Sequence, residues 1–136
     1  MNYRLTLTLD DAKDIAAAAE AEARRNDWPV VIAIVDDGSH ILHLLRLDNT
    51  QFGSVEVAIQ KARAAIAFRR PTKVWEEHIS DGRMRYLGLP GVVPVEGGLP
   101  IEWDGQFIGA VGVSGVRSSQ DAQIAQAGLG ALLKAI

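Results

Sequence analysis

Small apolar residues recur at the spacing of a helix face between residues 9 and 26. The recurring positions are i, i+3, i+4, i+7 and i+11, filled by Ala12, Ile15, Ala16, Ala19 and Ala23. Thr8, with Asp11 three residues on, is typical of a helix start with a weak capping box. The pattern therefore predicts a helix to about residue 26, whose small side chains let it lie close against a sheet.

Three further helices are predicted. The segment 55–69 carries an apolar stripe and ends before Pro71, with Ser54 as its expected cap. A short helix over residues 73–79 follows Thr72. Ser118 is the expected cap of the last helix, with Asp121 at the capping-box distance. Its expected buried face is Ala122, Ala125, Leu129, Leu132 and Ile136.

Two antiparallel hairpins are predicted between the helices. Residues 30–35 are a nearly continuous β-branched run, and the Asp-Asp-Gly-Ser turn at 36–39 leads into a return strand over 40–48. The second hairpin joins residues 99–103 and 106–113 through Asp104-Gly105. Short strands are also expected at residues 5–9 and 92–95. These elements favour a single α/β (α+β) domain over residues 1–136, with helices packed on a five-stranded sheet.

Composition removes several classes of function. The 136 residues include no cysteine, which excludes disulfides, thiolate metal sites and cysteine nucleophiles. No apolar run approaches the ~20 residues that span a bilayer, and the first ten residues lack a signal-peptide core. We therefore expect a cytoplasmic protein. The net charge of -3 argues against general nucleic-acid binding.

Positive charge is concentrated in residues 61–85. This stretch holds seven of the fourteen Lys and Arg residues and three acidic residues, a local balance of +4. It also contains Trp75 and His78. A basic, aromatic segment in an acidic chain indicates a surface for a small anion. A solvated helix end and loop would produce the same pattern, and the charges alone do not separate the two.

The three histidines do not form a metal site of their own. His40 and His43 are three apart on a predicted strand, so they point to opposite faces, and His78 lies on another element. We therefore predict no intrinsic metal centre. A single histidine is nevertheless sufficient to ligate a haem or a corrinoid, because the planar ring supplies the other four ligands. The glycine-rich segments do not match a phosphate-binding loop.

Two blocks of sequence carry a resemblance to a known family. The first block comprises residues 36–42, 45–48, 58–65 and 69–72. The second comprises residues 97–101, 104–105, 108–115 and 121–125. Together they resemble the GlcG/HbpS-like family, also called the haem-degrading or DUF336 domain, which is related to the C-terminal part of PduO-type proteins. The resemblance covers almost the whole chain.

The resemblance implies a profilin-like five-stranded antiparallel sheet and a homo-oligomer ranging from dimer to octamer. It also implies haem or a related tetrapyrrole as ligand. His40, Arg46, Lys61 and Arg63 lie on motif positions, whereas His78 falls outside these blocks.

Two functional hypotheses follow. The first is a small-ligand binding protein whose oligomeric pocket takes an anionic, planar cofactor such as haem or a corrinoid, with His40 as candidate axial ligand. Its other candidate binding residues are Arg46, Lys61, Arg63, Trp75 and His78. The alternative is a cofactor-independent enzyme acting on a small carboxylate or aromatic substrate. In that case Lys61, Arg63 or Arg46 holds the anion and His40 carries the proton. A purely structural, assembly-building role stays open as a third reading.

Overall fold

A computed structural model describes residues 1–133 of the chain, so Ile136, predicted on the buried face of the last helix, lies outside the described residues. The helices are α1 (Leu9–Arg25), α2 (Gly53–Phe68), α3 (Lys73–Ser80) and α4 (Ser118–Leu133). The strands are β1 (Val31–Asp36), β2 (Ile41–Arg46), β3 (Gly98–Trp103) and β4 (Gln106–Ser114). A 3-10 turn covers Met84–Gly88. Both hairpins and all four helices match the sequence prediction to within a few residues.

The sheet has four antiparallel strands in the order β2-β1-β4-β3, not the five expected. Neither short strand forms within the described chain: residues 5–8 and 92–95 are irregular. The Thr8 hydroxyl accepts the Asp11 N–H at 3.1 Å, and the Asp11 carboxylate accepts the Thr8 N–H at 3.1 Å. This capping box starts α1 at Leu9 and so ends any extended segment before it.

Helices cover both faces of the sheet. One face packs Ile32, Ile34, Val111 and Val113 against α1 and α4. All five residues predicted for the buried face of α1 are buried. The other face packs β1 and β4 against α2. None of the helices within residues 1–133 combines the length and the apolar character needed to cross a bilayer.

Helix α2 begins two residues earlier than predicted. Phe52 occupies the N-cap position and Ser54, expected there, is fully buried inside the helix, where its hydroxyl accepts the Gln51 side-chain amide at 3.0 Å. The helix ends at Arg69, whose left-handed φ of 54° breaks the helical path before Pro71. Thr72 likewise makes no side-chain cap, because its hydroxyl accepts the Gly98 N–H at 2.9 Å.

Glycines on β3 and β4 let α2 approach the sheet closely. A β-carbon on Gly112 would collide with the Ala58 carbonyl and lie 2.6 Å from the Ala62 nitrogen. A β-carbon on Gly98 would collide with the Lys61 carbonyl. Both obstacles are backbone atoms, which cannot rotate away. The thin alanine face of α2 therefore packs against glycine backbone, and each side requires the other.

We predict that Gly112→Ala destabilises the protein by about 1–3 kcal/mol, the usual cost of overpacking a core. Gly130→Ala is the matched control, since nothing lies within 4 Å of a β-carbon there. In α4 that substitution should stabilise by roughly 0.5–1 kcal/mol through helix propensity. Urea unfolding measures both changes, and equal stability of Gly112→Ala and wild type would contradict the packing argument.

Candidate functional site

Lys61 is buried, contrary to its predicted place among the ligand-binding cations. Its side chain is 1% exposed, and its ammonium lies 3.1 Å from Asp121 Oδ2 and 2.9 Å from the Val113 carbonyl. The other Asp121 oxygen accepts the Val116 N–H at 3.2 Å. Asp121, predicted as a capping-box residue of α4, is therefore the partner of this ammonium. The pair joins α2, β4 and α4 and leaves Lys61 no surface for a ligand.

Burial raises the pKa of the Asp121 carboxyl above its ordinary value of 3.8, and the nearby Lys61 ammonium opposes the shift. Because the folded state holds this proton more tightly than the unfolded chain does, the carboxyl favours folding most at pH below 3.8. That contribution is lost as the pH rises through the raised pKa. At neutral pH the ionised carboxylate therefore carries a desolvation cost that the Lys61 charge and the hydrogen bonds offset only in part.

A signal for the burial of Lys61 is present in the sequence. Ser54, Ala58, Lys61 and Ala65 are spaced i, i+4, i+7 and i+11, so Lys61 falls in a stripe of small residues beside the apolar one. All four are buried. A lysine between small residues on a helix that approaches a sheet indicates a buried partner, which the charge count alone did not reveal.

His40 lies in the turn before β2, and its side chain is 80% exposed. Its ring Nδ1 is 3.2 Å from Asp36 Oδ1 and 3.3 Å from Oδ2. Arg63 of α2 donates from Nε to the Ser39 carbonyl at 3.2 Å, next to His40 in the chain. The structure therefore brings His40 and Arg63 to the same hairpin turn.

Arg46 lies at the far end of β2 from this turn. It is six positions along the chain from His40, or about 20 Å at roughly 3.3 Å per residue. Its guanidinium stacks over the Phe52 ring, 5.0 Å from the centroid, and Phe52 is 79% exposed. The residues at the two ends of β2, with those that contact them from α2 and its N-cap, are called the β2–α2 surface: His40, Ile41, Arg46, Phe52 and Arg63.

Trp75 and His78 belong to a separate aromatic cluster. Trp75 packs edge-on against Phe68 with ring centroids 5.1 Å apart, and His78 stacks on Tyr86 at 5.0 Å. Trp75 itself is 4% exposed. Their helix α3 begins beside Gly98 of β3, at the opposite edge of the sheet from β2. A single chain does not place these two residues beside His40.

The arginines around this cluster contact aromatic rings. Arg70 lies 5.4 Å from the Trp75 centroid and Arg85 lies 4.8 Å from the Tyr86 centroid. Arg83 approaches the His78 Nδ1 at 3.3 Å. The basic stretch 61–85 is thus divided among a buried ion pair, the hairpin turn and this aromatic cluster. It does not form one continuous anion-binding surface.

The clefts among residues 1–133 include three with volumes of about 840, 360 and 310 Å³. They lie against the N-terminal segment, beside the end of α1, and between β3 and α4. None of the three is lined by His40, Trp75 or His78. Within residues 1–133 no group of three or more His, Cys, Asp or Glu side chains is arranged to hold a metal ion. The candidate site is therefore the open β2–α2 surface.

The antiparallel sheet covered by helices, with an open histidine on its edge hairpin, defines a domain of the α+β class. A family model described as "Haem degrading protein HbpS-like" matches residues 7–130. The chain belongs to this HbpS-like family.

Three relatives match this chain over most of their own length. Protein GlcG of Escherichia coli strain K12 is 42% identical over 114 residues, covering 84% of this chain and 85% of the relative. The crystal structure of Klebsiella pneumoniae ORFY superposes with a TM-score of 0.89 at 31% identity and covers 98% of this chain and 97% of its own. A crystal structure of PduOC in complex with heme gives a TM-score of 0.84 at 30% identity, covering 93% of this chain and 95% of its own.

We predict that Lys61→Met costs about 3–5 kcal/mol of unfolding free energy, because it leaves the Asp121 carboxyl buried without its cation. The double variant Lys61→Met/Asp121→Leu should recover most of that loss. Lys73→Met is the control, because the Lys73–Glu77 pair is exposed and worth at most a few tenths of a kcal/mol. Urea unfolding supplies the double-mutant cycle, and strictly additive single changes would contradict a coupled pair.

The cost of Lys61→Met should also depend on pH. Without the ammonium, the Asp121 pKa rises further, so the folded variant keeps its proton over a wider pH range. The stability deficit of the variant should therefore be smaller in mildly acidic buffer than at neutral pH. Unfolding measured at both values tests this, and a deficit that grows on acidification would show that another group controls the effect.

Proposed function

We propose that this protein binds an anionic, planar tetrapyrrole, with haem as the leading candidate, on the β2–α2 surface of a homo-oligomer. The observation that carries the proposal is the open imidazole of His40, held at the hairpin turn beside Arg63. The heme complex of the structural relative PduOC supports the same ligand class. Haem bound there would present an iron centre for coordination, and His40 would be its axial ligand.

The residues of the surface fit such a ligand. His40 supplies a ring nitrogen, Ile41 supplies apolar area at 44% exposure, and Arg63 supplies a cation for a carboxylate. Arg46 lies too far along β2 to hold the same ligand within one chain. A corrinoid shares the planar ring and the need for one axial ligand, so it is the second candidate of the same class.

An oligomer would close this open surface. Phe52 and Ile41 expose 79% and 44% of their area, and β2 is an edge strand of the described sheet. Exposed apolar side chains beside an unpaired strand edge are typical of an association surface. A second copy would also supply the enclosed apolar wall that a single chain does not provide.

A second candidate function is turnover of a small carboxylate without a cofactor. It rests on the juxtaposition of His40, a possible proton carrier, with the arginine at the Ser39 carbonyl. Lys61 drops out of this hypothesis because its ammonium is buried. The two proposals differ in whether a ring nitrogen of His40 binds a metal or accepts a proton from a substrate.

We predict that hemin titration of the wild type produces a saturable Soret band. His40→Ala should weaken the affinity for hemin at least tenfold. His43→Ala, on the adjoining strand β2, and His78→Ala, in the aromatic cluster, are the matched controls. Absorbance titration of all four proteins measures the effect. Loss of the band in His78→Ala alone would assign the ligand to α3, and hydroxocobalamin in the same assay tests the corrinoid.

Absence of a saturable band in every protein would refute tetrapyrrole binding and favour the enzyme hypothesis. Candidate small carboxylates would then be assayed with wild type and His40→Ala. Unchanged turnover in the variant would remove His40 from that mechanism as well.

We also predict an assembly larger than one chain at micromolar concentration, because the β2–α2 surface exposes Phe52 and Ile41 together. Size-exclusion chromatography with light scattering measures the mass. Phe52→Ser should shift the population toward smaller species. Leu87→Ser, the same kind of apolar-to-serine change at another exposed residue, should not. A monomeric wild type would contradict the proposal that an oligomer closes the site.

A further inference from the structure

The carboxylate of Asp36 is fixed in place before it meets the histidine. Its Oδ1 accepts the backbone N–H groups of Gly38 and His40, each at 2.9 Å. Asp36 closes β1, so the strand ladder holds its backbone as well. Two hydrogen bonds from the turn leave this carboxylate little rotational freedom, and charge-assisted bonds of this kind are the stronger ones.

The His40 ring lies against this carboxylate and against Gly38. Its Nδ1 faces both Asp36 oxygens at 3.2 and 3.3 Å. A β-carbon on Gly38 would lie 2.8 Å from His40 Cε1 and 2.9 Å from Nδ1. The ring therefore occupies space that only a glycine at position 38 leaves open.

The turn that carries these groups is anchored from outside. Ser39 adopts a positive φ of 70°, which non-glycine residues rarely adopt, and its carbonyl accepts the Arg63 Nε–H at 3.2 Å. Arg63 therefore ties the strained turn to α2. The strain persists because the surrounding contacts over-determine it, an arrangement that is found most often at functional sites.

We propose that Asp36 is a positioning residue that keeps the proton of neutral His40 on Nδ1 and leaves the lone pair of Nε2 facing outward. An ionised carboxylate only accepts hydrogen bonds, so the nitrogen that faces it must carry the hydrogen. Nε2 is then the acceptor nitrogen and the one able to ligate a metal. As a statement about iron ligation this inference rests on the proposed function, but the tautomer itself requires no ligand.

A carboxylate behind a ligating imidazole has a further consequence. It increases the electron donation of the ring to the metal and fixes the ring orientation. A haem ligated by His40 would therefore have a lower reduction potential with Asp36 in place than with a neutral residue there. The ligand must therefore offer an electron-accepting centre to the lone pair of His40 Nε2. That centre would approach from the solvent-exposed side of the ring.

The tautomer is tested on the ligand-free protein by long-range ¹H–¹⁵N NMR of the histidine rings, at a pH where His40 is neutral. The His40 signals are assigned by their loss in His40→Gln. We expect a protonated Nδ1 in wild type. In Asp36→Asn the amide oxygen can keep the backbone bonds while its NH₂ faces Nδ1, so the proton should move to Nε2. Wild type protonated on Nε2, or no change in Asp36→Asn, would overturn the proposal.

Two further variants separate positioning from general stability. Asp37→Asn is the matched control, because Asp37 is adjacent in sequence and pairs instead with Arg4 at 3.5 Å. It should leave the His40 tautomer unchanged. Gly38→Ala should displace the ring and remove the tautomer preference with little loss of stability, because the colliding atoms belong to a movable side chain. An unchanged tautomer in Gly38→Ala would contradict the assigned ring position.

The consequence for ligand binding is measured with hemin. We expect Asp36→Asn to weaken binding about 10–100-fold and to raise the reduction potential of the bound haem, with Asp37→Asn equal to wild type. Unchanged affinity and potential in Asp36→Asn would overturn the positioning role toward iron, even with the expected tautomer. Absence of any Soret band in wild type would refute the proposed function instead, and the NMR result would still decide the tautomer.

Discussion

The buried ion pair between Lys61 and Asp121 is the interaction on which the arrangement of the helices around the sheet depends. It connects α2 to α4 through the Val113 carbonyl at the end of β4. A β-carbon at Gly97 would lie 2.7 Å from the Lys61 ammonium, so the segment entering β3 passes directly over the pair. Four elements therefore meet at one charged contact that is nearly inaccessible to water. Removing either charge alone would leave the other buried without compensation.

This constraint also decides where a ligand has room to bind. One face of α2 is committed to the sheet through close contacts with Gly98 and Gly112. Away from that face, Arg63 of α2 donates a hydrogen bond to the Ser39 carbonyl in the turn that leads into β2, an edge strand of the described sheet. His40, the predicted site histidine at this turn, is thereby held on an open surface between β2 and Arg63 of α2. A turn held between two strands and bonded to Arg63 of α2 limits the movement of the imidazole more than a free loop would.

The aromatic cluster around Trp75 has a different character. Its rings pack on one another and on arginine guanidinium groups, and Trp75 is almost fully buried. Aromatic packing of this kind stabilises a region that has little regular structure, between α3 and β3. This packing holds the glycine- and proline-rich segment between α3 and β3 within one chain. His78 is held within it by Tyr86 and Arg83.

Local sequence patterns were sufficient for the elements and for the class of fold. The alanine spacing in residues 12–23, the capping box at Thr8 and the Asp-Gly turns each act over a few residues, so periodicity alone predicts them. The motif blocks likewise indicated the family before the fold was known. The prediction of a fifth strand was wrong. The capping box at Thr8 starts a helix at Leu9, and the short alternating segment before it has no partner strand in the described sheet.

Which of the predicted residues lie together at the candidate site was decided by the tertiary structure. Lys61 and Arg63 are two residues apart and carry the same charge, but one is buried against Asp121 and the other reaches a turn across the sheet. Trp75 and His78 lie close in sequence to these cations yet belong to the opposite sheet edge. Charge counting treats such residues as equivalent because it contains no information on distance. Contacts between residues more than twenty positions apart, such as Arg63 with Ser39, arise only when the whole chain has folded.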